Sequence, residues 1–216
     1  MWRIDGMRFG STDDLSSDFS TQKTCREDIR CIAVGDANSG KNQLLAACEK
    51  IDSDKEQAVF LEYSTCKLYN DINHKLVFKG FSGQENTHNL RRMSYIEPTG
   101  VFLVCFSVVD REQFENATDN WIGEIKSYAP GSPYLLIGTH TDLRKDPIYR
   151  QQLQLESKKV VTKREARRKA FIHECKYLEC SSTTLRGVKQ VFNAAISAAL
   201  QGDYAEALRR RVCQMM

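Results

Sequence analysis

The run Gly35-Asp36-Ala37-Asn38-Ser39-Gly40-Lys41-Asn42 has the residue types and spacing to hold a phosphate. Its glycines let backbone N–H groups curl around phosphate oxygens, and the lysine that follows neutralises their charge. The pattern G-x-x-x-x-G-K-S/T closes on a hydroxyl that ligates the Mg²⁺ of a nucleotide. Here that place is Asn42. Gly35, Asp36, Ala37, Asn38, Ser39, Gly40, Lys41 and Asn42 are therefore candidates for binding a nucleoside phosphate. They are poorly equipped for metal-assisted chemistry on it.

Such a loop must lie between a strand and a helix. The apolar run Ile29 to Val34 precedes it, and Leu44, Leu45, Ala46 and Ala47 follow at helical spacing. Further strands are expected at Glu62–Tyr69, His74–Lys79, Val101–Val108, Tyr134–Ile137 and Lys176–Glu179. Helices are expected at Lys41–Lys50, Glu112–Ser127, Lys163–His173 and Leu185–Leu200. Val101 to Phe106 and Leu135 to Gly138 are continuously apolar, as strands covered on both faces are. Lys67 to Lys75 is polar at its centre, as an edge hairpin is. The alternation predicts an α/β fold, a mostly parallel six-stranded sheet with helices on both faces.

At 216 residues and 41% hydrophobic content, one substantial core and one domain are expected. A net charge of +3 gives no whole-chain case for binding nucleic acid. No apolar stretch approaches a membrane span, and the start has neither a signal-peptide core nor, at Trp2, a myristoylation glycine. The closest cysteine pair, Cys175 and Cys180, lacks zinc-ligand spacing, and Cys31 and Cys105 sit in apolar runs as small hydrophobes. A reduced cytosolic protein is the expectation. Residues 1–27, rich in Ser, Thr and Asp, are read as a flexible N-terminal extension. Residues 28–200 form the domain and 201–216 a basic tail.

Three later motifs narrow the class. Gly83-Gln84-Glu85 follows a strand, Thr139-His140-Thr141-Asp142 follows the fifth, and Cys180-Ser181-Ser182 follows the sixth. These resemble the second switch and the two base-binding loops of Ras-like GTPases, whose ligand sits at the carboxyl ends of the strands. Gly100 to Val109, Gln113-Phe114-Glu115-Asn116, Trp121, Leu90 to Tyr95 and Gly138 to Pro147 closely resemble the Rho family of small GTPases. An insert at about 147–161 matches in position the extra helix of that family. The resemblance implies a P-loop NTPase G domain with a Rho-type insert helix, binding GTP or GDP.

By that resemblance Asp142 accepts hydrogen bonds from guanine, and Thr139, His140, Ser181 and Ser182 support the base. Gly83 belongs to the phosphate site, Gln84 is the water-positioning catalytic candidate, and Phe60, Leu61, Glu62 and Tyr63 form the effector surface. Four departures matter. Asn42 replaces the hydroxyl that ligates Mg²⁺, Gly80 replaces an aspartate that holds it through water, and Ala58 replaces the first-switch threonine. Glycine and alanine side chains offer no oxygen ligand, so Asn42 is the one candidate and Mg²⁺ binding is expected to be weak or absent. Ala37 replaces a glycine, crowding the attacking water and an activating protein's arginine, which contributes about 10³ to 10⁵ in rate.

Cys213-Gln214-Met215-Met216, after Arg209-Arg210-Arg211, has the form of a C-a-a-X lipidation signal with a polybasic partner. The expected protein is an atypical Rho-type signalling module, regulating cytoskeleton and cell polarity. It would be monomeric and bind effectors through its switch regions. A prenylated tail would hold it on the cytoplasmic face of membranes, with a cytosolic pool. The family hydrolyses GTP to GDP and phosphate; this chain is expected to do so little or not at all. Two rivals stand beside this: a slow but active GTPase switch, and a nucleotide-free scaffold.

Overall fold

The computed structural model of the chain describes residues 27–52, 62–69, 72–80, 95, 100–155 and 159–201. Six strands form one sheet in the order β2-β3-β1-β4-β5-β6. They are β1 (Glu27–Val34), β2 (Glu62–Tyr69), β3 (Ile72–Gly80), β4 (Val101–Ser107), β5 (Tyr134–Thr139) and β6 (Lys176–Glu179). β2 pairs antiparallel with β3 at one edge, and all other pairings are parallel. The edge hairpin expected from its polar centre is there.

Side chains alternate across each strand with period two, so the two faces bury different residues. Ile29, Cys31, Leu76, Phe78, Leu103 and Leu135 pack against α1 (Lys41–Asp52) and α5 (Val188–Gln201). Ile32, Phe102, Val104 and Phe106 face α2 (111–128), α3 (Pro147–Leu155) and α4 (Lys163–Ile172). All seven residues of β4 are buried. At about 1.5–3 kcal/mol for each large apolar side chain removed from water, this two-sided core rigidly positions the loops at the strand ends.

α2 is one continuous helix with a π turn at Ala117–Trp121, between α-helical stretches Arg111–Asn116 and Ile122–Tyr128. The sequence pattern shows the helix and not the turn. Asp110 caps it, its carboxylate accepting from the Gln113 amide at 3.1 Å. α3 lies where the insert is expected, its first amides capped by Asp146 Oδ1 at 2.9 and 3.0 Å and Pro147 at its first position. α5 begins at Val188, three residues later than the apolar pattern suggests, because Leu185 has φ 58°, outside the right-handed helix. β5 runs two residues past its expected end and carries Thr139 into the site.

Candidate nucleotide site

The phosphate loop joins β1 to α1. Gly35 has φ 144°, and a Cβ there would lie 2.2 Å from the Cys105 carbonyl oxygen, so only glycine lets the chain leave β1 along β4. Gly40 has φ 76°, and its missing Cβ makes room for Thr139 Oγ1 and His140 Cε1, at 2.8 and 2.9 Å from where that Cβ would be. Asn38 carries φ 60° between them, a conformation asparagine tolerates better than most residues. Lys41 is 3% exposed and donates from Nζ to the Asp36 carbonyl at 2.8 Å. Burial holds its ammonium below the ordinary lysine value, with nearby Asp36 opposing the shift. A desolvated cation of this kind gains most from an incoming anion.

Helix α2 clamps the loop from the other side. Trp121 Nε1 donates to Asp36 Oδ1 at 2.7 Å, and Asn116 Nδ2 donates to Oδ2 at 2.9 Å. Gln113 accepts from the Ser107 amide at 3.0 Å and donates to the Ala37 carbonyl at 3.3 Å. The π turn ends at Trp121 and sets the register in which its indole meets Asp36, an example of π geometry beside a functional site. The Asp36 carboxylate is thus directed to α2, and what that residue can offer a phosphate is backbone. Gln113, Asn116 and Trp121 belong to the family resemblance, yet their contact with this loop has no signature in local sequence.

The base-side loop is tied to the same centre. Thr139 Oγ1 lies 2.7 Å from the Ser39 carbonyl and 3.0 Å from that of Phe106; having one proton, it donates to one at a time. His140, with φ 54°, places Nδ1 3.2 Å from Thr139 Oγ1 and Nε2 3.2 Å from Gln43 Oε1. Burial lowers its pKa against the pull of Asp142, favouring the neutral imidazole. Asp142 Oδ1 is buried with no hydrogen-bond partner. A buried acceptor left unmatched costs about 1–3 kcal/mol, so the site fits a ligand that brings a donor. The Ser181 amide is occupied by the Arg186 carbonyl at 2.9 Å, and its hydroxyl accepts from the Thr184 amide at 3.1 Å. Ser182 is half-buried beside it.

A network unmarked in the sequence fixes this loop to β6. Arg144 donates to both Glu179 oxygens, at 3.2 and 3.0 Å, and to the Val161 carbonyl at 3.0 Å; Tyr177 donates to Glu179 Oε1 at 2.8 Å. Burial pushes the Glu179 carboxyl up, but Arg144 and the Tyr177 hydroxyl outweigh it, and the net shift is downward. A cavity of about 380 Å³ lies alongside, lined by Asn38, Gln43, Asp110, His140, Tyr149 and Leu153 among others. It borders the expected site without including Lys41, Asp142, Ser181 or Ser182, so it flanks the nucleotide position.

On the metal side, Asn42 is exposed at the start of α1, and Gly80 ends β3 paired with Ala33. Among the described residues no group of three His, Cys, Asp or Glu is placed to hold a metal ion. Ala58, Phe60, Leu61, Gly83, Gln84 and Cys213 lie outside the described residues; Glu62 and Tyr63 open β2. Cys31, Cys105, Cys175 and Cys180 are free thiols, and burial pushes Cys175 up to about 11 and Cys180 up to about 12. They are inert packing groups in this fold.

A strand, a glycine loop folded over a buried lysine and a following helix, met by loops from two more parallel strands, define a P-loop nucleotide-binding domain. The model of the Ras family matches residues 30–201, and the chain belongs to that family. It is a Ras-like small GTPase domain, of a family whose members bind GTP or GDP.

Proposed function

We propose that this chain is an atypical Rho-type member of the family, one that holds guanine nucleotide, hydrolyses it little or not at all, and signals by binding effector proteins. The observation that carries the reading is the contrast between Asp142 Oδ1, buried and unpartnered, and the metal side, where Gly80 has no side chain and Asn42 offers one exposed amide. Lys41 and the loop amides would hold the phosphates, and Asp142 the donor edge of the base. Bound Mg²⁺ would supply charge neutralisation across the phosphates, and the residues present fit that ion poorly. Helix α3 in the insert position and the Gln113, Asn116 and Trp121 contacts to the loop support the Rho-type assignment. Attachment to the cytoplasmic face of membranes through Cys213 and Arg209 to Arg211 completes the reading.

One observation favours a nucleotide-free scaffold instead: Lys41 already meets the Asp36 carbonyl and His140 meets Gln43, so the loops also satisfy one another. Extracting and weighing the nucleotide that co-purifies separates the readings. GTP supports the locked switch, GDP a slow enzyme, and an empty pocket the scaffold. Binding of labelled GTP should survive EDTA, and single-turnover phosphate release should be undetectable with or without a Rho-type activating protein. Release at ordinary small-GTPase rates would overturn the proposal. Ala37→Gly, Asn42→Thr, Ala58→Thr and Gly80→Asp combined is the variant in which turnover should return. Cys213→Ser should move the protein from membrane to cytosol on cell fractionation.

A further inference from the structure

We infer that the outer face of α4 is a docking surface for an anionic phospholipid bilayer. Ala166 and Ala170 pack inward, and Glu165 and Lys169 at its flanks are held by α2. Arg111 Nη1 lies 2.6 Å from Glu165 Oε1, and Lys169 Nζ lies 3.2 Å from Asp119 Oδ1. Arg164, Arg168, Phe171 and Ile172 follow at spacings of four, three and one and so share the outward stripe, with Arg167 beside it. All five are exposed, and among the described residues no ion pair holds any of the three arginines.

Phe171 is 84% exposed and Ile172 61%. A large aromatic and a branched aliphatic standing in water beside three guanidinium groups is the chemistry of an interfacial helix, whose apolar residues enter the acyl boundary while its cations meet acidic headgroups. An acidic protein or polyanion would answer the arginines alone. Two exposed carboxylates lie nearby, Glu174 just beyond the helix and Asp119, which pairs with Lys169.

Position in the fold agrees with this. α4 runs down to β6, whose first residue, Lys176, pairs with Leu135 near the start of β5. α5 ends at the same side: Ala199 Cβ lies 3.2 Å from where a Cβ on Gly100 would be, just before β4. Phe171, Ile172 and Gln201 therefore sit at the end of the sheet opposite the phosphate loop. From Gln201 the chain continues toward Arg209, Arg210 and Arg211. A tail held at a membrane would bring this end to the bilayer and leave the nucleotide loops facing away.

The inference does not require lipidation, so the test uses the full chain as Cys213→Ser, with phosphatidylcholine vesicles containing or lacking about one-third phosphatidylserine. Binding should need phosphatidylserine. Each arginine near an acidic surface accounts for about five-fold in partition, so Arg164→Gln with Arg168→Gln should lower it about 25-fold. Phe171→Ser, at unchanged charge, should lower it about ten-fold, and Phe171→Trp should show a blue-shifted emission on vesicles beyond that of the parent chain. All these side chains are exposed, and unchanged melting temperatures would confirm intact folds. Absence of binding to acidic vesicles overturns the inference, as does Phe171→Ser binding like the parent. So does heparin binding that needs the arginines while vesicle binding does not, which would point to an acidic macromolecule. Vesicle binding that disappears with Arg209→Gln, Arg210→Gln and Arg211→Gln while the α4 variants are silent assigns it to the tail alone.

Discussion

The loop proposed to read a base and the positions proposed for a metal contrast in what their side chains supply. Around Asp142, Thr139, Tyr177, Glu179 and Ser181 have partners and Arg144 is held through both Nη atoms, while Asp142 Oδ1 and Arg144 Nε are buried atoms left over. At the metal end, Gly80 offers nothing and Asn42 stands in solvent. Recognition of a base needs a rigid, desolvated acceptor, because an unmatched buried group is what rejects the wrong ligand. Holding a hard cation needs several oxygens at once. The two demands are met by different loops, so one can persist while the other is lost.

The contrast breaks most sharply at Asp142. Asp142→Ala should erase the preference for guanine over adenine nucleotide, a loss of roughly 10⁴-fold, in competition titrations of labelled GTP against ATP. Equal discrimination in parent and variant would remove Asp142 from the base.

Next comes the scaffold behind that loop. Glu179→Gln leaves the largely buried Arg144 without its counter-charge and should cost about 3 kcal/mol in urea unfolding. The Glu179 pKa is lowered in the folded protein, so its stabilisation is fully present above pH 4.5, the ordinary value, and is lost as pH falls through the folded value. The parent should therefore lose stability below pH 4.5 and the variant should lose less over that range.

Trp121→Phe keeps an aromatic ring, though a smaller one than indole, and removes the donor to the Asp36 carboxylate, which should cost about 2 kcal/mol. Nucleotide should also dissociate faster, measured by displacement of a fluorescent analogue. A variant with the parent's dissociation rate would show that the clamp serves stability alone.

The smallest effect is at Ser39, whose buried hydroxyl has no partner beneath the phosphate loop. Ser39→Ala keeps the backbone N–H that the loop offers a phosphate, so it should stabilise the fold by about 1 kcal/mol with nucleotide affinity unchanged. A fall in affinity would mean that the hydroxyl turns to the ligand.

The phosphate loop, the strand spans and most of the helices were legible in the sequence, because glycine spacing and apolar period are local properties. Glu62–Tyr69 and Lys176–Glu179 fall at the ends that pattern and turn residues indicate. Asp36 in the phosphate run and Trp121 in α2 are far apart along the chain, and nothing local to either announces that they touch. Their contact depends on β1 lying beside β4 in the sheet order and on one π turn that rotates the indole inward. Arg144 and Glu179 meet because β5 and β6 pair in parallel and bring their strand-end loops together. That Asp142 keeps an unanswered oxygen is likewise a property of packing alone, since an acceptor becomes orphaned only when the surrounding chain has excluded water. The sequence determined which groups this protein has for a nucleotide. The tertiary structure decided which of them were already taken by its own backbone and side chains, and which were left for a ligand.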